Sequence, residues 1–236
     1  MSDPLMMSAC CPLDSEEVVP AIRCAGRWLC EVAPDTEVAG RVGDFIRRRF
    51  QMAYGAEPVL RIPDLLALTT AQGSLLAAVG VRNASRAPLF LEDYLEEPVE
   101  NRMPVSGTRR QHIAEIAHLA GVEAGVSRYL FASLAVWLNS SGYQWVVCTG
   151  TDQLRNSFSR LGIATHILSA ADPSRLADGG AGWGHYYDHH PAVMALNVAE
   201  SLVALRAIGL LKVTHPVTGV VGENRSAMGG RYGHTA

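Results

Sequence analysis

The stretch Gln111-His112-Ile113-Ala114-Glu115-Ile116-Ala117-His118-Leu119-Ala120 decides the fold, together with the glycine turn Gly121-Val122-Glu123-Ala124-Gly125 that follows it. The apolar run predicts a buried strand, and the apolar spacing after Ser127 predicts an amphipathic helix with Ser127 as its N-cap. Glu115 interrupts the strand. A carboxylate in such a run must face solvent, find a partner or shift its pKa, and the last two are how acid/base sites are built. Glu115 is therefore our first candidate for a catalytic residue.

The composition is that of an ordinary globular protein. The 236 residues are 48% hydrophobic and 18% charged with a formal net charge of -3, which argues against general nucleic-acid binding. The five cysteines are odd in number and lack paired C-x-x-C spacing, so neither a disulfide framework nor a zinc site is indicated. With no basic segment followed by a long apolar run at the N-terminus, we predict a cytoplasmic protein.

Three segments are predicted along the chain. Residues 1–24 lack periodicity and are predicted to be a flexible leader, residues 25–212 form one domain, and residues 213–236 form an irregular tail. The apolar run from Val193 to Leu211 predicts a final long helix. Its Asn197, Glu200 and Arg206 argue against a membrane span but leave contact with a membrane surface open.

The order of the predicted elements is mixed. A strand and a helix are followed by a hairpin of residues 64–70 and 75–81, and then by strand, glycine turn, helix, strand, helix and strand. This α/β (mixed α+β) order resembles that of GCN5-related N-acyltransferases. The resemblance implies one domain with a central mixed, mostly antiparallel sheet flanked by helices. It also implies two neighbouring strands that splay apart around the pantetheine arm of an acyl donor, with the next helix N-terminus facing the donor phosphates.

Five ordered motifs resemble a narrower group, the thermostable hemolysin family of bacterial proteins. They are Leu91-Glu92-x-Tyr94-Leu95-x-x-Pro98-x-Glu100, Glu115-Ile116-x-x-Leu119-Ala120, Thr151-x-x-Leu154-Arg155-Asn156-x-Phe158-x-x-Leu161-Gly162, Ala171-Asp172-Pro173-x-Arg175-Leu176 and Trp183-Gly184-x-Tyr186-Tyr187-Asp188-x-x-Pro191. That family is similar to acyl-homoserine-lactone synthases, which carry a comparable glutamate in the strand before the central helix. Those enzymes move an acyl chain from acyl carrier protein to the amine of S-adenosylmethionine.

The chain departs from these patterns at two places. It has Ala117-His118 where the thermostable hemolysin family usually has Gly-Asn. The spacing of Gly121 and Gly125 is too wide for the phosphate loop of ordinary acetyl-CoA enzymes. This departure weakens a standard acetyl-CoA assignment, although a donor carried on acyl carrier protein needs less of that loop. The donor that the resemblance implies is a thioester of acyl carrier protein or of coenzyme A.

Site residues follow from the resemblance and from the residue types. Glu115 would take a proton from the attacking amine or orient that amine, although a structural pairing with Arg82 or Arg110 is an open alternative. In a regular strand Glu115 and His118 face opposite sides of the sheet, so they form no dyad unless a bulge intervenes. Donor contacts are assigned to Gly121, Gly125, Val126, Ser127, Arg155 and Asn156. Substrate contacts are assigned to Glu92, Tyr94, His118, Trp183 and Tyr187.

Several of these assignments have plain structural alternatives. Arg155 and Asn156 also suit helix capping and a local ion pair with Asp152. Glu92 belongs to an acidic segment that could recognise an amine or simply be solvated. Trp183 and Tyr187 could close an acyl pocket or complete the core.

A metal site is not predicted. His185, His189 and His190 have spacing that suits ligands only on a helix, and the neighbouring Gly184 and Pro191 argue against a helix there. No Gly-x-Ser-x-Gly elbow occurs, which argues against a lipase-like hydrolase.

Two functions remain at this stage. The first is an acyltransferase that joins a fatty acyl group from a thioester to a small amine or amino acid, with the arginines at 47–49 docking an acidic carrier protein. The second is a membrane-active, hemolysin-type protein without catalysis.

Overall fold

The structure is a computed structural model that describes residues 17–61, 64–122 and 125–217. Within these residues the strands are β1 Val18–Cys24, β2 Arg27–Val32, β3 Asp64–Thr70, β4 Leu75–Asn83, β5 Ile113–Gly121, β6 Trp145–Gly150, β7 His166–Ala170, β8 Ala192–Asn197 and β9 Thr214–Pro216. The α-helices are α1 Glu37–Tyr54, α2 Val99–Arg102, α3 Val126–Ser140, α4 Asp152–Arg160 and α5 Val198–Ala207. A 3-10 turn, Phe90–Tyr94, precedes α2.

All the strands join one sheet in the order β7-β8-β6-β5-β4-β3-β2-β1-β9. Neighbours are antiparallel except β5 and β6, which are parallel and are linked through α3. A parallel pair needs such a crossover, because the chain must return to the same end of the sheet. The predicted mixed, mostly antiparallel sheet with flanking helices is confirmed.

Both faces of the sheet are covered. Helix α1 packs on one face with Val42 and Ile46, and helix α3 packs on the other with Leu130 and Leu134. This two-sided burial explains why the central strands are apolar at nearly every position and do not alternate with polar residues.

The predicted long helix over residues 193–211 is wrong in its first part. Ala192–Asn197 forms strand β8 between β6 and β7, and α5 begins only at Val198, with Asn197 as its N-cap. A short apolar run that is buried on both faces is compatible with a strand and with a helix, so hydrophobic periodicity could not distinguish the two.

The predicted limits of the folded domain are also too narrow. Strand β1 lies in the segment assigned to the leader, and β9 lies in the segment assigned to the tail, yet the two strands pair with each other. Pro20 and the irregular register between Pro20 and Ile22 break the alternation that would have revealed β1. The rest of the leader, residues 1–16, and residues 218–236 of the tail lie outside the described residues.

Candidate functional site

A cavity of about 850 Å³ opens where strands β5 and β6 part. Their parallel pairing runs only from Ile113 opposite Trp145 to Ile116 opposite Cys148. Beyond that point the second half of β5 and the end of β6 line the cavity together with α1, the start of α3, α4 and the loop around Trp183. The separation of two neighbouring strands is the geometry that the resemblance implies.

A bulge in β5 shapes the cavity floor. Between the pairs Ala78 with Ala120 and Gly80 with Ala117, β4 advances by two residues while β5 advances by three. His118 lies in this bulge with a φ of 54°, in the left-handed region. The extra residue reverses the expected alternation, so His118 and Glu115 line the same cavity.

The imidazole of His118 is buried without a hydrogen-bond partner. The residue is 6% exposed, and neither ring nitrogen has a partner within the described residues. Its ring lies nearly parallel to those of Phe90 and Trp183, with centroid separations of 6.1 Å for both, and meets Phe50 edge-on. Burial, with the charges of Arg61 and Arg82, lowers the pKa of His118 to about 4. The ring is therefore neutral at pH 7.

Glu115 has partners that the sequence did not suggest. The backbone N–H of Phe90 donates to its Oε2 at 3.0 Å, and that of Leu91 donates to its Oε1 at 2.8 Å. The carboxylate thus caps the start of the 3-10 turn, and burial raises its pKa above the ordinary value. The predicted alternative of an arginine pair is wrong, because Arg82 donates instead to the carbonyl oxygens of Pro88 and Arg61.

Arg110, the other suggested partner, binds Glu92 instead. The Arg110 Nη1 lies 2.6 Å from a carboxylate oxygen of Glu92 and 2.6 Å from one of Glu100. Glu92 also accepts the N–H groups of Leu89 and Val99. Although burial acts to raise its pKa, Arg110 and these N–H groups hold the pKa of Glu92 below its ordinary value. Its carboxylate is fully engaged outside the cavity lining, so we do not retain the predicted substrate contact.

Aromatic side chains form the wall beside His118. Trp183 and Tyr94, two of the predicted substrate contacts, line the cavity, whereas Tyr187 stands behind them with its hydroxyl 2.7 Å from that of Tyr94. The other rings in this wall are Phe50, Tyr54, Phe90 and Tyr186.

The loop that carries Trp183 is held close against the end of α1. Gly184 has a φ of 51°, and a Cβ at this position would collide with the carbonyl oxygen of Tyr54. The next residue, His185, donates its backbone N–H to that same oxygen at 2.8 Å. Glycine at 184 thus allows the close approach that brings Trp183 to the cavity.

The turn before α3 borders the cavity mouth. Gly121, Gly125 and Ser127 line the cavity, but Val126 is buried in the core away from it. The helix begins after Gly125, whose φ is 95°, so the prediction of Ser127 as N-cap is wrong. Glycine has no side chain to cap the helix, and no other side chain caps it among the described residues, so the first N–H groups of α3 can bind an anion.

The second predicted anchor is only partly at the cavity. Asn156 lines it, whereas Arg155 pairs with Asp152 and donates to the carbonyl oxygen of His190. The structural alternative for Arg155 is therefore the observed one. Helix capping by Asn156 is not observed, since the N-cap of α4 is Thr151.

Three other arginines line the cavity at its mouth, and sequence reasoning singled out only one of their positions. Arg49 on α1 is half-buried and donates to the carbonyl oxygen of Val122, while Arg128 and Arg160 are exposed. Arg47, from the predicted docking cluster, is engaged in an exposed ion pair with Asp44 at 2.8 Å.

A smaller apolar pocket of about 70 Å³ continues from the cavity toward the other face of the sheet. The pocket begins where the strands separate, because the two linings share Ala117, His118, Leu119, Phe131, Thr149 and Leu154. Thr149 was not predicted, yet its buried hydroxyl has no partner within the described residues. Apart from the hydroxyl of Ser201, the deeper lining is apolar and comprises Ile116, Leu134, Ala135, Leu138, Val146, Cys148, Phe158, Ile163, Leu196 and Val198.

Two negative observations concern the described residues. No three His, Cys, Asp or Glu side chains among them converge in a way that could hold a metal ion. None of the helices in the described part of the chain is long and apolar enough to cross a membrane.

Comparisons with known proteins agree with the sequence resemblance. The family model described as thermostable hemolysin matches residues 32–202, and no curated protein matches the chain. Among solved structures, TofI in an apo form is 16% identical with a TM-score of 0.54, covering 76% of this chain and 95% of that chain. The acyl-homoserine-lactone synthase LasI is 13% identical with a TM-score of 0.52, and the match covers 77% of this chain and 94% of that chain.

FeeM, an N-acyl amino acid synthase from uncultured soil microbes, is 14% identical with a TM-score of 0.52, covering 74% of this chain and 92% of that chain. At these identities the likeness concerns the fold alone, and it confirms the predicted fold class.

Proposed function

This chain belongs to the thermostable hemolysin family, and we propose that it transfers a fatty acyl group from a carrier-protein or coenzyme A thioester to a small amine or amino acid. One observation carries the proposal. The cavity between β5 and β6 joins an arginine-lined mouth to an apolar pocket through a gap between two strands. An acyl thioester has the matching order of parts, namely a phosphate, a polar arm, the thioester and a hydrocarbon chain.

The mouth suits the phosphate end of such a donor. Arg49, Arg128 and Arg160 supply positive charge there, and the uncapped N-terminus of α3 adds backbone N–H groups. Where the strands part, β5 has lost its neighbour on one side from Ala117 onward. Its free backbone groups can bind the amides of the pantetheine arm as an added strand would.

The apolar pocket suits the acyl chain. Apart from Ser201 and the residues shared with the cavity, its lining consists of aliphatic side chains, Phe158 and Cys148. Each methylene that leaves water for such a lining contributes about 0.8 kcal/mol to binding. Affinity should therefore depend on chain length.

The acceptor amine would lie between Glu115 and the aromatic wall. Each Glu115 oxygen accepts one backbone N–H and retains a second lone pair for the amine. We therefore assign to Glu115 the role of orienting the acceptor amine. Trp183 and Tyr94 would contact the rest of the acceptor.

The named neighbours support this reaction type. LasI is an acyl-homoserine-lactone synthase, and FeeM is an N-acyl amino acid synthase. Both names describe products in which an acyl group is joined to an amine. A cytoplasmic location remains a prediction that would suit such donors.

Thermal-shift and intact-mass measurements test the proposal. We expect acyl-carrier-protein or coenzyme A thioesters to stabilise the protein in a chain-length-dependent manner, whereas free coenzyme A should act weakly. Incubation with amines should then yield a product heavier than the amine by the acyl group. No response to any thioester, together with leakage of liposomes by the protein alone, would favour the membrane-active alternative.

A further inference from the structure

His118 is a buried polar residue that nothing in the fold explains. It is 6% exposed, and both ring nitrogens lack partners within the described residues. Buried polar groups are normally hydrogen-bonded, because an unpaired one costs about 1–3 kcal/mol. The ring also lines the cavity on the same side as Glu115. A group held in this way is set up to bond with a ligand.

The backbone conformation at His118 is specific to this position of the strand. A φ of 54° is unusual for a residue other than glycine, and the bulge exists only at this point of β5. Without the extra residue, the side chain would point to the other face of the sheet. The bulge therefore brings the imidazole to the acceptor side of the cavity.

Glu115 is poorly placed to be the base of the reaction. Both of its oxygens already accept backbone N–H groups, and these bonds hold the 3-10 turn that carries Phe90. Taking a proton would weaken those bonds at the moment of reaction. Neither ring nitrogen of the neighbouring His118 forms a hydrogen bond with any residue that the structure describes.

Burial and the surrounding charges together keep His118 neutral. The titratable and charged groups that face it or line its part of the cavity are Glu115 on its own strand, Arg82 on β4, Arg61 before β3, Arg49 and Tyr54 on α1, Tyr94 on the 3-10 turn, and Tyr186 and His189 on the loop. Burial dominates and, with Arg61 and Arg82, lowers the pKa of His118 to about 4. An unprotonated nitrogen is thus available throughout the neutral pH range.

We propose that His118 is the catalytic residue that carries the proton from the attacking amine to the leaving thiolate, an inference that rests on the proposed acyl transfer. The amine nitrogen attacks the thioester carbonyl carbon, and the C–N bond forms. The surplus proton on nitrogen passes to the free ring nitrogen of His118. When the intermediate collapses, the C–S bond breaks, the electron pair leaves on sulfur, and the imidazolium protonates it. The products are an amide and a thiol.

Two substitutions test this role while preserving the backbone. Asparagine tolerates the left-handed conformation and keeps a hydrogen-bonding side chain, but it cannot carry a proton. His118→Asn should lower kcat by about 10²–10⁴-fold, with little change in the KM of the thioester. His118→Gly opens space for a free base, so added imidazole should restore turnover. The pH profile of the rescued reaction should follow the pKa of the added base when methylimidazole replaces imidazole.

Matched controls use His215, an exposed residue on β9 at the far end of the sheet. His215→Asn and His215→Gly should retain full turnover without responding to imidazole. Thermal unfolding of each variant should confirm that it is folded.

The outcomes separate this inference from the proposed function. Near-normal turnover by His118→Asn, or a failure of imidazole to rescue folded His118→Gly, overturns the proton-carrying role and leaves acyl transfer intact. If the unaltered protein turns over no pair of thioester and amine, both proposals fail together.

Discussion

The two halves of strand β5 differ in their neighbours and in the polar residue that each one buries. Ile113–Ile116 is paired on both sides, with β4 and β6, whereas the second half from Ala117 to Gly121 is paired with β4 alone. The first half buries Glu115 with a partner for each oxygen, and the second half buries His118, whose ring nitrogens have no partner among residues 17–61, 64–122 and 125–217. The comparison indicates that Glu115 maintains the fold in addition to facing the acceptor, whereas His118, without a partner in the described part of the chain, is available only to a ligand.

Of the two polar residues buried in β5, Glu115 should contribute far more to stability than His118. Glu115→Ala leaves the N–H groups of Phe90 and Leu91 unpaired in the core, which should lower the free energy of unfolding by about 2–4 kcal/mol. Urea denaturation measures this, with exposed Glu37→Ala as the control. By contrast, His118→Asn should cost little stability at pH 7. Equal losses of unfolding free energy in Glu115→Ala and His118→Asn would contradict the proposed difference between the two halves of β5.

Lowering the pH should reduce the free energy of unfolding, because His118 is buried in its neutral form. Its folded-state pKa of about 4 lies below the ordinary histidine value of 6.5, so between these values the unfolded chain binds a proton that the folded protein does not. The stability that this group contributes is present above pH 6.5 and is lost as the pH falls toward 4. Full loss amounts to about 3 kcal/mol.

Denaturation of the unaltered protein and of His118→Asn at pH 7 and pH 4 measures that difference. The variant should lose less stability on acidification. Glu115 acts in the opposite direction, because its raised pKa favours the folded state as the pH falls, but it is present in both proteins and cancels. Parallel pH dependences in the two proteins would contradict the burial of a neutral imidazole.

Enlarging the apolar pocket should change the preferred acyl chain. Leu138→Ala removes a side chain from the pocket lining, so longer chains should bind better by about 0.8 kcal/mol for each added methylene that is buried. Leu205→Ala is the matched control, since Leu205 is buried on α5 outside both linings. Both variants should be less stable by about 2–5 kcal/mol, but only the first should shift chain preference. An unchanged optimum would exclude this pocket as the acyl site.

Charge at the cavity mouth should have the smallest effect. Arg49→Gln should weaken thioester binding by about 0.2–1 kcal/mol, and added salt should reduce the difference. Arg48→Gln is the matched control, because Arg48 lies next to it on α1 outside the cavity lining. Titrations at two salt concentrations compare the variants. Equal losses from both would point to general surface charge and not to a contact at the mouth.

The sequence predicted much of the fold because its strongest signals are local. The hairpin of β3 and β4, the helix α1 and the succession of β5, α3 and β6 follow from apolar spacing and glycine turns. Strand β8 was predicted as a helix because both of its faces are buried. Strand β1 escaped prediction because Pro20 and a bulge hide its alternation.

The site was predicted less completely because its contacts join distant parts of the chain. Glu115 could be selected as a carboxylate in an apolar run, but its partners lie at Phe90 and Leu91 and are backbone groups. No local pattern revealed the bulge at His118, although its effect on the side-chain direction could be anticipated. Thr149 and Arg160 gave no signal, because a polar strand residue and a surface arginine are common.

Hydrogen exchange with a non-reactive donor tests the central claim most directly. The probe is an acyl-pantetheine phosphate in which a methylene group replaces the thioester sulfur. If the donor binds along the free edge of β5, peptides covering Ala117–Gly121 should gain protection, while those covering the doubly paired Ile113–Ile116 should change little. Protection that is absent from Ala117–Gly121, or that appears only outside the cavity, would contradict an acyl-thioester site between β5 and β6.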